Sequence, residues 1–214
     1  MEKGDMIRQE KYHETKKHGL REFPFNIYPC SIPGDFQNVA LHWHEEMEII
    51  SIKKGQGNVV VDRVVYEVEE GDVMAVFPGQ LHAIYGFEDQ RMDYENIIFS
   101  LSLLMGAEED LCTERFLFPL AREQVREPLF KRRGMEGYEA FAGCIQALDC
   151  VSEERGTGYQ LAVKGQLYTF LYLAFQSGLT ALCALSERLP SFPCRRIFKN
   201  HGRHGDGDCS PVRF

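Results

Sequence analysis

Between residues 23 and 104 the chain writes one short β-type run after another, with no interval long enough for a crossover helix. Runs rich in Val, Ile, Phe and Tyr fall at 39–44, 47–52, 57–62, 64–68, 73–77, 82–87 and 94–104, and turn residues such as Gly55, Gly71 and Pro78-Gly79 separate them. Parallel strands need crossovers of a dozen residues or more, so a doubly wound α/β fold is excluded and an antiparallel double-sheet jelly roll remains. In the last run Glu95, Ile97, Phe99, Leu101 and Leu103 share a face against Asn96, Ile98, Ser100 and Ser102, which predicts one buried side.

Four potential metal ligands sit on these runs. His42 and His44 are two apart, so an extended strand points both imidazoles to one face. Glu48 reaches the same interior if the strand resumes after a turn at Glu45-Glu46, and His82 opens a run after the Pro-Gly turn. Three imidazoles and one carboxylate suit a divalent transition metal such as Zn, Ni, Mn or Fe. By strand parity Ile50 and Ile84 are interior neighbours, and Phe25 and Tyr28 come near the mouth, which makes an apolar pocket with few polar anchors. Two uses of His42, His44, Glu48 and His82 stay open: a metal centre, or a metal-free pocket that hydrogen-bonds a small organic molecule. A dry, empty polar core is excluded because an unpartnered buried Glu48 is too costly.

The spacing His42-x-His44-x3-Glu48-x6-Gly55 agrees with the first cupin motif. Gly71, Pro78-Gly79 and His82 agree with the second, with one extra residue before the Pro and none between Pro and Gly. The stretch from His42 to Ile50, preceded by Phe23-Pro24-Phe25-Asn26-Ile27-Tyr28 and followed by a two-helix segment, resembles the N-terminal half of AraC/XylS-type bacterial transcription regulators over roughly residues 20–180. That resemblance implies a cupin barrel that binds a sugar-like effector and a unit that dimerises, ahead of a DNA-binding domain. It also implies a sensor and not an enzyme; a small cupin oxygenase or isomerase using the His3Glu set is the competing reading.

After Gly106 the period lengthens. Pro119 and Pro128 make 108–121 irregular or briefly helical. Tyr138, Phe141, Ile145 and Leu148, then Leu161, Leu167, Phe170, Leu171, Ala174 and Phe175, recur every three or four residues on either side of Gly156-Thr157-Gly158, predicting a helical hairpin. Leu167, Tyr168, Leu171, Tyr172 and Phe175 are the candidate dimer contacts. The fold class is therefore mainly β with a C-terminal helical hairpin. Its expected divisions are a flexible arm over 1–19, a barrel over 20–105, a helical linker and hairpin over 106–186, and an irregular tail over 187–214.

A net charge of -8 argues against this chain gripping nucleic acid by itself. The run Lys131-Arg132-Arg133 reads as a solvated turn. Seven cysteines without a CxxC pair, and no cationic apolar leader, read as reduced thiols in a cytoplasm. The uncharged stretch 165–186 is interrupted by Gln, Thr, Ser and Gly, which favours a helix apolar on two faces over a membrane span. The Gly-rich tail carries no helical period where the resembled family would continue into helix-turn-helix units, so a truncated regulator is expected.

Overall fold

A computed structural model describes residues 11–179, apart from 88–89, 107–109, 123–124 and 126. The expectations for the tail over 187–214, and for the end of the uncharged stretch, lie outside the described residues. Among the described residues, nine strands are arranged in two antiparallel sheets. One sheet has the order β1-β8-β3-β6-β9, built from β1 (Phe25–Ile32), β8 (Met92–Phe99), β3 (Met47–Lys54), β6 (Val73–Val76) and β9 (Leu129–Lys131). The other has the order β2-β7-β4-β5, built from β2 (Asn38–His42), β7 (His82–Gly86), β4 (Gln56–Val61) and β5 (Val64–Glu69). Consecutive strands repeatedly change sheet, which is the jelly-roll arrangement the short runs predict.

The larger sheet is buried on both faces, and this explains why its strands read as continuous apolar runs. Residues 47–52 of β3 are all buried. Ile50, Ile52, Met74, Met92 and Tyr94 face the second sheet and meet Val59, Val61 and Ile84 there. Met47, Ile49, Ala75, Ile97 and Phe99 face outward into a second core made with the helices. Strand β8 is therefore covered on two sides, where its alternation had predicted one buried face. It also ends sooner: Leu101–Leu103 form a 3-10 turn whose amide at Ser102 donates to the Ser100 hydroxyl at 3.2 Å.

Residues 113–117 widen into a π-helical turn that runs into α1 (Phe118–Arg122). The wider turn accommodates Pro119, whose ring and missing N–H do not suit a regular α turn. The hairpin follows as α2 (Tyr138–Glu154) and α3 (Tyr159–Gln176). Phe141 and Phe170 meet edge-to-face at 5.1 Å in its seam. Leu161 is on the solvent side of α3, 76% exposed, although its spacing had placed it with the core residues.

Two features of this region were not legible in the sequence. Strand β9 pairs with β6 through Leu129–Lys131, so the segment after residue 105 completes the barrel's own sheet. Three residues are too few to show a period. The basic run is not merely a solvated turn: Arg132 Nη2 donates to Asp72 Oδ2 at 2.6 Å and its Nε to Oδ1 at 3.0 Å, and Asp72 is 1% exposed. The Tyr138 hydroxyl donates to the Gly71 carbonyl at 2.8 Å, so the Gly71-Asp72 turn is held by the helical segment.

Candidate metal centre

His42 ends β2 directly opposite His82, which begins β7. His44 lies just beyond β2, and its carbonyl accepts from the Gly79 amide at 2.9 Å. Gly79 adopts φ +80, a conformation that side-chain-bearing residues avoid, so the Pro78-Gly79 turn sets where His82 re-enters the sheet. Glu48 is on the inner face of β3, paired with Val76 and Ile98 on its neighbours. These segments bring one ligand atom from each of His42, His44, Glu48 and His82 within 4.8 Å of one another.

The orientation of the three rings is imposed by the backbone. His42 Nδ1 lies 2.8 Å from the Ala40 carbonyl, His44 Nδ1 3.1 Å from the Glu46 carbonyl and His82 Nδ1 2.9 Å from the Gln80 carbonyl. A carbonyl oxygen only accepts, so each Nδ1 carries the proton and each Nε2 is turned to the centre. Nε2 of His44 and of His82 lie 3.0 and 3.1 Å from the same carboxylate oxygen, Glu48 Oε2. With both Nδ1 atoms protonated, a lone pair on Nε2 would repel that oxygen, so the centre requires positive charge, as imidazole protons or as a cation. Glu48 is 1% exposed and its Oε1 is buried without a hydrogen-bond partner. A divalent cation would satisfy the free oxygen and the Nε2 lone pairs together, so the donor set fits a metal.

Electrostatics in the absence of a cation agree with a built site. Burial opposes ionisation of Glu48, yet the charge of His82 and hydrogen bonds from His44 and His82 outweigh it and hold the carboxyl below the usual range. Burial also opposes protonation of His44, and there the hydrogen bond and charge of Glu48 prevail and raise it. His42 is lowered, chiefly by burial and then by His82, which leaves it a neutral ligand.

The other expected pocket residues divide. Ile50 and Ile84 are fully buried in the core between the sheets, on the side of the four ligands. Tyr28 is beside them, its hydroxyl 3.1 Å from His18 Nδ1. Phe25 is not: it packs on the outer face of the sheet among the helix-side core, because its parity on β1 is that of Phe99 and Met47. Sequence reasoning missed His18, which is buried with its ring 6.2 Å from that of His44. No periodic signal marks the arm. Residues 12–14 pair with Trp43 through both of its backbone groups at 2.9 Å, His13 stacks on the Trp43 ring at 4.2 Å, and Glu14 lies 3.5 Å from His42 Nε2. The part of the arm that is described is thus packed on the barrel, not free, and Trp43 faces the arm.

The candidate dimer residues divide too. Leu167 and Leu171 are consumed by the helix-side core, 0% and 3% exposed, and present nothing to a partner. Phe175 packs against Phe116 at 5.0 Å, and the Tyr168 hydroxyl donates to the Leu104 carbonyl. Only Tyr172 of the five is largely solvent-facing, at 61%.

Residues 30–171 match the family model of the AraC-like ligand binding domain. The chain belongs to this family. Over 70 residues the chain is 31% identical to the uncharacterized HTH-type transcriptional regulator YdeC of Bacillus subtilis (strain 168), covering 32% of this chain and 24% of that protein. The chain thus spans about a quarter of the length of that relative. Among solved structures it is similar to a cupin protein from Bacteroides fragilis, at 22% identity over 40% of this chain and 67% of the other, TM-score 0.29. It is also similar to a Cupin 2 conserved barrel protein from Salinispora arenicola, at 22% identity over 41% and 73%, TM-score 0.34. The two-sheet topology and the family assignment agree on a cupin-type jelly roll carrying an AraC-like ligand-binding domain. No helix among the described residues is long and apolar enough to cross a membrane.

Proposed function

We propose that this chain is the effector-sensing and dimerising part of an AraC-type transcription regulator, not an enzyme. In this reading a divalent transition metal held by His42, His44, Glu48 and His82 helps to fix a small sugar-like molecule in the barrel. The observation that carries the reading is the convergence of carbonyl-oriented imidazoles on Glu48, whose second oxygen is buried and unpartnered. When bound, the metal supplies a Lewis-acidic centre to which hydroxyl or carboxylate oxygens can bind. The chain's own residues turn Nε2 inward, keep water from the buried Glu48 and supply the apolar walls Ile50 and Ile84. Recognition of DNA is assigned elsewhere in the regulator, in keeping with the net charge of -8. The barrel over 20–105 is assigned to sensing and the segment over 106–186 to pairing of two copies, with Tyr172 as its exposed anchor.

Elemental analysis of protein purified without chelator tests the metal: about one equivalent is expected, and less than about a tenth would remove it from the function. A panel of monosaccharides tests the effector. One of them should raise the unfolding temperature at concentrations above its dissociation constant, and the His82→Ala protein should lose that response. Stabilisation that persists in His82→Ala would place the sugar outside the barrel.

A further inference from the structure

A cleft of about 470 Å³ lies on the opposite side of the large sheet from the four ligands. Its walls come from the start of β1 and the residues just before it, from β8, and from the end of α2 and the turn to α3. Phe23, Phe25 and Tyr159 form an aromatic wall, and Glu95, Asp149 and Glu153 bring three carboxylates to the same space. We propose that this cleft is a second small-molecule site that takes an organic cation, an amine carried on an aromatic or aliphatic body.

The volume is that of an ordinary small-molecule pocket. Its aromatic wall is ordered. Phe23 meets Tyr159 edge-to-face at 5.8 Å and is 5.8 Å from Phe25, so ring faces and edges line one side, as an ammonium and its hydrocarbon body require. The same cleft has an excess of acid. Lys53 Nζ lies 2.7 Å from both Glu95 Oε2 and Asp149 Oδ2, one cation serving two carboxylates. Arg155 at the rim donates from Nε to the Ser152 carbonyl at 3.1 Å. Counting Glu95, Asp149 and Glu153 against Lys53 and Arg155, the cleft is negative by one. Two polar atoms in its wall, Asp149 Oδ1 and Ser152 Oγ, are buried without a hydrogen-bond partner. Burial, and then the charge of Asp149 working against the hydrogen bond from Lys53, raises the Glu95 carboxyl, which fits a site short of positive charge.

The cleft is distinct from the barrel interior. Glu95 and Phe25 have the parity of Ser51 and Met47, on the face of the sheet away from Glu48. The proposal therefore stands whether or not the barrel binds metal and sugar.

Calorimetric titration of the full chain with phenethylamine, 2-phenylethanol and phenylacetate tests it, since the three probes share a body and differ in charge. Phenethylamine should bind at least ~10-fold more tightly than the alcohol, and phenylacetate more weakly than either. Asp149→Asn and the exposed-site variant Glu153→Gln should each weaken the amine by about fivefold, with circular dichroism confirming that both fold. Equal binding of amine and alcohol, no heat from the amine up to ~10 mM, or wild-type affinity in both carboxylate variants would each overturn the proposal.

Discussion

Replacing Glu48 by Gln keeps the shape of the side chain and removes the charge on which His44 and His82 converge. Bound metal should fall from about one equivalent to near zero by elemental analysis, and the metal-free protein should lose about 2–3 kcal/mol in urea unfolding, as expected when a charged hydrogen-bond acceptor is replaced by a neutral one. The same residues set a pH dependence. Glu48 is depressed below its ordinary range, so its contribution is present above about pH 4.3 and is lost as pH falls through the lower folded value. His44 is raised from 6.5, so its contribution is complete below 6.5 and is lost as pH rises through the folded value. In metal-free protein the pair therefore helps most between these limits. Above them His44 gives up its proton, and in the proposed function a cation would take its place at the centre. The difference in melting temperature between metal-loaded and chelated protein should grow as pH rises through neutrality, and a flat difference from about pH 5 to 8 would contradict this assignment of charge. At this scale the four candidate ligands were legible because their spacing survives in the linear chain. His18 and Glu14 were not, because nothing in a polar arm shows where it will lie.

At the scale of elements, the hairpin and the barrel share one core. Phe141 of α2 is fully buried between the sheet and α3, and it meets Phe170 edge-to-face. Phe141→Ala should cost about 3–5 kcal/mol in urea unfolding. Because the core is continuous, the loss should appear as one transition and not as separate melting of the hairpin. Gly55 provides a local test. At φ +79 an added Cβ would come within 2.0 Å of the Arg91 carbonyl, so Gly55→Ala should destabilise the β3–β4 turn by more than about 1 kcal/mol. Both helices were legible from their period, as were six of the seven runs that became strands with little change. Strand β9 and the clamp of Arg132 on Asp72 were not, since each exists only through a pairing with residues about 60 positions earlier in the chain.

For the whole molecule, pairing of two copies should appear in sedimentation as a mass that rises with concentration toward twice 24.6 kDa. Tyr172→Asp, at an exposed position, should shift that equilibrium toward single chains while leaving metal content unchanged; a variant as dimeric as the parent would place the interface elsewhere. Leu167 and Leu171 are unsuitable for such a test, because their replacement would damage the chain's own core.

The sequence by itself determined the class of fold, the grouping of the four candidate ligands and the hairpin, because each depends on periodicity or spacing within a short stretch. Which side of a strand faces what was decided only by tertiary structure. A period of two says that neighbours alternate, but when both faces of a sheet are buried it does not say which face meets the second sheet and which meets the helices. For that reason Phe25 could be assigned to the barrel mouth from parity and yet lie in the helix-side core, and Leu167 and Leu171 could be assigned to a partner and yet be buried within their own chain.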